Sequence, residues 1–132
     1  MTPELTALAL AGLLQGAQFF IYAVPATLSA GPAWALGPRD EPLAPGVMSP
    51  RTARLGRALD NHAHALALFA AAVAVVVLAG EATAFTAVCA WVYLAARVVY
   101  VPAYACGWVP WRSVAFGVGT AATMLMFIAS LV

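Results

Sequence analysis

Four long runs of apolar residues divide the chain, and stretches rich in glycine and proline separate them. A membrane-spanning helix needs roughly 20 consecutive, mostly apolar residues, and each of these runs is at least that long. The pattern therefore predicts four transmembrane helices, at about residues 4–28, 51–79, 82–104 and 111–132.

The connections between the predicted helices differ in length. Residues 29–50 form the only long connection, which contains several glycines and prolines and the charged residues 39–41. Glycine and proline break helices, so we expect a polar loop of about 20 residues here. The other two links are short, at residues 80–81 and 106–110. The predicted fold is all-α, with one four-helix transmembrane domain over residues 1–132.

The composition agrees with a membrane protein and excludes two other classes. Of the 132 residues, 64% are hydrophobic and 8% are charged, and the mean hydropathy is +0.93. Soluble domains are about half apolar and about a quarter charged, so a chain of this kind cannot cover its surface with polar groups. The formal net charge of +1 also argues against a nucleic-acid-binding protein, which would present a strongly basic surface.

The basic residues predict the orientation in the membrane. All six are arginines, and five of them lie in or beside the two larger loops: Arg39, Arg51, Arg54, Arg57 and Arg112. Cytoplasmic loops carry an excess of basic residues, so both loops should be cytoplasmic and both termini should lie on the other side, which Glu4 and Glu81 mark. Three tryptophans at the cytoplasmic boundary match an aromatic belt: Trp34, Trp108 and Trp111.

The start of the chain favours a retained helix over a secretory signal peptide, because no basic residue precedes the first apolar run. Residues 33–35 nevertheless resemble a cleavage site. The heavy use of alanine, valine and arginine without lysine suits a GC-rich bacterium. The inner membrane of such a cell is the expected location.

Polar residues of the second helix share one face. At about 100° per residue, four of them fall within about 80° of one another: Arg54, Arg57, Asn61 and His64. Asp60 lies beside this stripe and can pair with Arg57 or His64. Alternatively, Arg51 and Arg54 snorkel to the headgroups and Asp60 only neutralises Arg57. Asn61 and His64 lie two to three turns inside the helix, where snorkelling fails, so they predict a polar site inside the bundle.

A second polar stripe runs along the third helix. Its members are Tyr93, Arg97, Tyr100 and Tyr104, which fall within about 60° of one another on a helix. Arg97 lies seven residues before the predicted helix end, roughly 10 Å deep at a rise of 1.5 Å per residue. A charge at that depth needs a partner, which we expect to be Asp60, a helix-end carbonyl or an anionic ligand. The tyrosines can be a simple interface feature, but together with Arg97 they indicate the wall of a polar cleft.

The fourth helix opens with Arg112 and Ser113. Donor side chains at a helix N-terminus favour an anion, because free backbone N–H groups and the helix dipole add to them; anchoring to headgroups is the alternative. Cys89 and Cys106 show no spacing that suggests a disulfide. His62 and His64 face different ways on a helix, so no metal site is expected.

These polar positions, taken in order, resemble the MAPEG family, the membrane-associated proteins of eicosanoid and glutathione metabolism. The family motif Arg-Ala-x-x-Asn-x-x-Glu on the second helix is similar to residues 57–64, Arg-Ala-Leu-Asp-Asn-His-Ala-His. The third-helix pattern of Arg, an aromatic residue or His, and then Tyr resembles Arg97, Tyr100 and Tyr104. The Arg-Ser pair of the family's fourth helix resembles Arg112-Ser113. The resemblance extends over essentially the whole chain.

The resemblance implies a homotrimer with ligand sites between neighbouring subunits, open to the cytoplasmic leaflet. It also implies glutathione as co-substrate and a lipophilic electrophile or peroxide that arrives from the membrane lipids. Arg112 would stabilise the glutathione thiolate, with help from Ser113. The remaining family positions would hold the tripeptide: Arg57, Asp60, Asn61, His64, Arg97, Tyr100 and Tyr104.

Two departures from the family pattern bear on the function. His64 stands where the family has a glutamate that would hold the tripeptide's ammonium group; Asp60, one turn away, is a possible substitute. Phe116 stands where the family often has a tyrosine. A glutathione-dependent transferase or peroxidase is therefore one hypothesis, and a non-catalytic membrane protein that binds a lipid or a protein partner is the second. A small transporter with Arg97 as a gate is a third, although the chain has no discontinuous span or inverted repeat.

Overall fold

The computed structural model describes residues 1–132 and contains five helices and no strand. The helices are α1 (Pro3–Ala30), α2 (Pro32–Leu36), α3 (Pro50–Leu78), α4 (Ala84–Ala105) and α5 (Trp111–Ala129). The four long helices that the hydropathy pattern predicts are all present, and each is long and apolar enough to cross a membrane. The remaining helix, α2, has only five residues. It lies within the connection 29–50, where the sequence predicted only a loop.

Local sequence accounts for most of the helix boundaries. The side chains of Thr2, Ser49 and Thr83 each accept a hydrogen bond from a backbone N–H in the first turn of the helix that follows, which satisfies a donor that the helix leaves free. Prolines occupy the first turns of α1, α2 and α3, where the missing N–H carries no cost. This is why α2 forms in a proline-rich stretch: Pro32 begins the helix instead of breaking it.

The tight link between α3 and α4 depends on one glycine. Gly80 has a positive φ of 76°, a conformation that costs a side-chain-bearing residue energy but not glycine. The N–H of Gly80 donates to the Val77 carbonyl, and that of Glu81 donates to the Val76 carbonyl. These bonds cap the last carbonyls of α3, and α4 starts at Ala84.

The helices pack around one apolar core. Helix α4 lies against α1, α3 and α5, and α3 also lies against α1 and α5. At the centre, the rings of Phe69 (α3) and Tyr93 (α4) stack with their centroids 3.8 Å apart and their planes 14° from parallel. Small residues such as Ala7, Ala72 and Ala90 surround the pair and are fully buried, which lets the helix backbones approach closely.

The sequence pattern places Glu4 at the membrane boundary, but the structure does not leave its side chain free there. Its side chain is buried, and the Thr86 hydroxyl group donates a 2.6 Å hydrogen bond to Glu4 Oε1. Thr86 also accepts a bond from the Thr83 backbone N–H. The first turn of α1 is therefore joined to the first turn of α4 by a polar contact inside the bundle, whereas Glu81 is exposed.

The stacked pair leads to a test of the core. The substitution Phe69→Ala removes a ring with no exposed surface, so we expect it to lower the free energy of unfolding in detergent by about 3–5 kcal/mol. Leu68→Ala is the matched control, because its side chain is 52% exposed on the neighbouring face of α3. Equal losses in the two variants would contradict the packing described here.

Candidate functional site

A polar cleft opens among α3, α4 and α5 at the end of the bundle where α4 stops and α5 starts. Its volume is about 300 Å³, at the lower end of the range for small-molecule sites. Six residues line it: Asn61, Tyr100, Tyr104, Arg112, Ser113 and Phe116. Five of them are residues that the sequence analysis assigned to catalysis or ligand binding, and the sixth is the phenylalanine that departs from the family pattern.

Asn61 and Tyr100 form the floor of the cleft. The Asn61 Nδ2 group donates a 2.9 Å hydrogen bond to the Tyr100 hydroxyl group. Tyr100 is almost fully buried, and it packs on Ala58 and Ala115. The bond joins α3 to α4 and orients the Tyr100 hydroxyl group, so the shape of the cleft depends on how these two helices are held together.

Aromatic rings make up the rest of the wall. The Tyr104 ring meets Tyr100 edge to face, at a centroid distance of 5.4 Å, and the Phe116 ring lies 6.1 Å from Tyr100 on the α5 side. The guanidinium carbon of Arg112 lies 5.0 Å from the centre of the Tyr104 ring, within the range of a cation–π contact. The cleft therefore combines one cation, one serine hydroxyl group and the Asn61 amide with three aromatic rings.

Arg112 and Ser113 lie in the first turn of α5, as predicted, but the backbone there is not free. The N–H of Arg112 donates to the Trp108 carbonyl, and the N–H groups of Ser113 and Val114 donate to the Pro110 carbonyl. The expected contribution of free backbone N–H groups to an anion site is therefore wrong. What remains is the Arg112 side chain, half-buried, together with the helix dipole.

Arg97 lies behind the cleft and does not line it. Its side chain is 1% exposed, and its guanidinium carbon lies 5.1 Å from the ring centre of Tyr93, 5.6 Å from that of Tyr100 and 4.9 Å from that of Phe116. Cation–π contacts of this kind contribute up to about 2 kcal/mol each when desolvated. The partners expected from the sequence, Asp60 and a helix-end carbonyl, are absent: none of the three guanidinium nitrogens makes a hydrogen bond.

Arg57, Asp60 and His64 are exposed and lie outside the cleft in the single chain. The Nδ1–H of His64 donates a 2.8 Å hydrogen bond to the backbone carbonyl of Asp60 on its own helix, and not to the Asp60 carboxylate. Helix geometry explains the placement, because the buried face of α3 is set by Ala58, Ala65 and Phe69. Arg57, Asp60 and His64 lie about 100° or more from the centre of that face, whereas Asn61 lies about 60° from it.

His62 and Gln18 are polar residues of the interior that the sequence analysis missed. His62 has no exposed surface, and its Nδ1 shares a short hydrogen bond with Oε1 of Gln18, itself buried on α1. The signal for His62 was its position on the same helical face as Ala58 and Ala65. The signal for Gln18 was an amide within an apolar run.

No three His, Cys, Asp or Glu side chains come together as a metal site requires. Cys89 is buried and Cys106 is exposed, and both are free thiols.

Four long apolar helices, three of which enclose an arginine-containing aromatic cleft, define an integral, multi-pass membrane protein. The sequence model of the MAPEG family matches residues 7–132, nearly the whole chain. The chain therefore belongs to the MAPEG family, which confirms the family assignment from the sequence. Neither the curated proteins nor the solved structures compared with the chain match it.

The close approach of α5 to Arg97 is testable with two glycines of one helix. A Cβ atom on Gly119 would lie 3.2 Å from Nε and Nη2 of Arg97, whereas one on Gly117 would meet nothing within 4 Å. In a helix, Gly→Ala ordinarily stabilises by about 1 kcal/mol. We expect this gain in the free energy of unfolding for Gly117→Ala. For Gly119→Ala we expect a loss of about 1–3 kcal/mol instead. Thermal unfolding in detergent measures both. A gain of equal size at both positions would show that the guanidinium does not lie against Gly119.

Proposed function

We propose that this protein is a membrane glutathione-dependent transferase or peroxidase that acts on lipophilic electrophiles. The observation that carries the proposal is the position of Arg112: a half-buried cation at the mouth of an aromatic cleft, at the N-terminal end of a helix. Family membership supports the same chemistry. Glutathione is the proposed co-substrate, and Arg112 with Ser113 is the proposed catalytic pair.

The chemistry asked of Arg112 is stabilisation of a thiolate. A free thiol has a pKa of about 8.5 and is mostly protonated at neutral pH. A guanidinium group at hydrogen-bond distance in a partly desolvated cleft favours the anion, and each unit by which the thiol pKa falls corresponds to about 1.4 kcal/mol. The Ser113 hydroxyl group, on the same wall of the cleft, can donate a second hydrogen bond to the sulfur.

The reaction proposed for an electrophile is a nucleophilic displacement. The thiol proton is released to water, the sulfur forms a bond to the electrophilic carbon, and the leaving group departs with the electron pair of the bond that breaks. The cleft walls suit an apolar substrate that arrives from the lipid, because Tyr104 and Phe116 present aromatic surface beside Arg112. The phenylalanine also offers no hydroxyl group, so fewer polar contacts are available at this wall than in relatives with tyrosine.

The proposed ligand-binding set extends beyond the cleft of the single chain. Asn61, Tyr100 and Tyr104 line it, Arg97 supports its aromatic wall, and Arg57, Asp60 and His64 point away from it. We propose a homotrimer in which the exposed polar face of α3 contributes to a site shared with a neighbouring subunit. Membrane lipids cover the remaining apolar surface.

A second candidate function rests on the absence of a carboxylate from the lining of the cleft. No carboxylate lines the cleft, and His64, at the position of the family's glutamate, is turned toward the Asp60 backbone. A site without a carboxylate has no charge partner for the ammonium group of glutathione. This favours, as the alternative, a non-catalytic member that binds a lipid or a protein partner.

The Arg112→Ala substitution distinguishes the two candidates. For a transferase, the conjugation of glutathione to a chlorinated nitroarene by the purified protein should fall about 10²–10³-fold, as when a preorganised donor is removed from a developing anion. The Arg51→Ala variant is the matched control, since Arg51 is exposed at the start of α3 and lies outside the cleft.

The pH profile provides a second measurement on the same variant. If Arg112 lowers the pKa of the bound thiol, kcat at saturating glutathione reaches half of its plateau value at a pH well below about 8.5 in the natural protein, whereas the residual activity of Arg112→Ala does so only near that pH. Identical profiles would rule out thiolate stabilisation by Arg112. An absence of glutathione binding at millimolar concentration would favour the non-catalytic alternative.

The proposed orientation, with the loops in the cytoplasm and both termini outside, is testable with the two natural cysteines. Cys106 follows the last residue of α4 and is exposed, whereas Cys89 is buried in the second turn of α4. A membrane-impermeant maleimide should therefore label Cys106 in inside-out bacterial inner-membrane vesicles and not in intact spheroplasts. Cys106→Ser should abolish the labelling. The reverse pattern would invert the proposed topology.

A further inference from the structure

The polar cleft contains a positive charge and no negative one. Of the six residues that line it, Arg112 is the only one whose side chain is charged at neutral pH. The five acidic residues of the chain all lie outside it: Glu4, Asp40, Glu41, Asp60 and Glu81. Glu4 accepts its hydrogen bond from Thr86 in the first turn of α4, at the opposite end of that helix. A ligand group with a positive charge therefore meets no carboxylate of this chain in the cleft.

Asp60 is the acidic residue nearest to the cleft along the chain, but it points away from it. It precedes Asn61, which lines the cleft, and successive residues of a helix are turned by about 100°. Its side chain is exposed, about 160° from the centre of the buried face that Ala58 and Ala65 mark. The same exposed face carries Arg57, so a neighbouring subunit that receives this face receives no net negative charge.

The aromatic rings of the cleft already have cations beside them. An ammonium group can bind to the face of an aromatic ring. However, the guanidinium carbon of Arg112 lies 5.0 Å from the centre of the Tyr104 ring. That of Arg97 lies 5.6 Å from the ring centre of Tyr100 and 4.9 Å from that of Phe116. An ammonium group placed on any of the three rings would be repelled by the guanidinium group already there.

A further arginine lies at the end of α4, next to the cleft. A Cβ atom on Gly107 would lie 3.0 Å from Nη1 of Arg54, so this guanidinium group lies against the turn that follows α4. The carbonyls of the turn are already used, because that of Tyr104 accepts from the N–H of Gly107 and that of Trp108 accepts from the N–H of Arg112. This side of the cleft adds positive charge and no unbonded acceptor for an ammonium group.

The remaining polar groups of the cleft are uncharged. They are the Asn61 amide and the hydroxyl groups of Ser113, Tyr100 and Tyr104, which can form hydrogen bonds with an amide without a compensating charge. The cleft has a volume of only about 300 Å³. An ammonium group inside it would therefore lie within roughly one Debye length, about 8 Å, of the Arg112 guanidinium group, where salt does not screen the repulsion.

We propose that the cleft selects a thiol whose amino group is acylated. In such a thiol an uncharged amide replaces the ammonium group, and the sulfur remains available to Arg112. The inference rests on the proposed function, because it specifies which thiol Arg112 activates in the displacement described above. Glutathione, whose amino group is free, is then a weaker co-substrate than its N-acylated form.

Glutathione and N-acetylglutathione test the proposal, because they differ only in the acylation of one amino group that is remote from the sulfur. Their conjugation to a chlorinated nitroarene by the natural protein is measured after subtraction of the uncatalysed rates. We expect kcat/KM to be about 3- to 30-fold higher for N-acetylglutathione, since the like-charge repulsion is removed. Both reactions should be lost in Arg112→Ala.

The two ways in which this experiment can fail are distinguishable. An equal or higher kcat/KM for glutathione, with both reactions still dependent on Arg112, would overturn the inference and leave the proposed function standing. An absence of conjugation with either thiol would overturn the proposed function and the inference together.

The Asn61→Asp substitution places a carboxylate in the cleft with a side chain of the same shape. It should move the ratio of kcat/KM for the two thiols about 10-fold toward glutathione; a general loss of activity affects both thiols and cancels in the ratio. Arg51→Glu is the matched control, because it changes the charge at an exposed position outside the cleft and should leave the ratio as it is. Equal shifts in the two variants would contradict selection within the cleft.

Asp60→Asn tests whether a second copy of the chain supplies the carboxylate that the cleft lacks. Under the proposal, the ratio of kcat/KM for the two thiols is the same in this variant as in the natural protein. A shift of the ratio toward N-acetylglutathione would show that the Asp60 carboxylate binds the ammonium group of glutathione, and would overturn the inference.

Discussion

The burial of the Arg97 guanidinium group among aromatic rings constrains most of what surrounds it. A charge at this depth in apolar surroundings is stabilised only by groups that are already held in place. Tyr93, on one face, is also the ring that stacks on Phe69 at the centre of the core. Tyr100, on another, accepts the hydrogen bond from Asn61 through its hydroxyl group, so one charged residue contacts both the core and a wall of the cleft.

Arg97 and Arg112 differ in burial, and the difference gives them different roles. Arg97 is enclosed, with three rings around it and no route to the cleft. Arg112 contacts one ring, is half-buried and lies at the end of α5, where a ligand can reach it. A guanidinium group can bind a thiolate or carboxylate only where its N–H edge is accessible. The proposed chemistry therefore belongs to Arg112, whereas Arg97 organises the wall behind it.

Much of this arrangement followed from local sequence rules. Hydropathy predicts the four long helices, and the Asn61, Tyr100 and Arg112 positions that meet in the cleft were recognisable from their order along the chain. The polar stripe of α3 was less informative, because a stripe states which residues share a face and not where that face points. The buried face of α3, which Ala58 and Phe69 mark, lies about 80° from the centre of the stripe, and of the stripe residues only Asn61 lines the cleft.

The sequence alone determined that the chain spans a membrane and where its helices lie, because both depend on the length and apolar character of each segment, which are sums over neighbouring residues. Only the tertiary structure decided which polar side chains face inward. His62 and His64 have the same chemistry and are two positions apart, yet one is fully buried against Gln18 and the other is exposed. Two residues on a helix are separated by about 200°, so the angle at which α3 packs on α1 and α4 decides which of them enters the core.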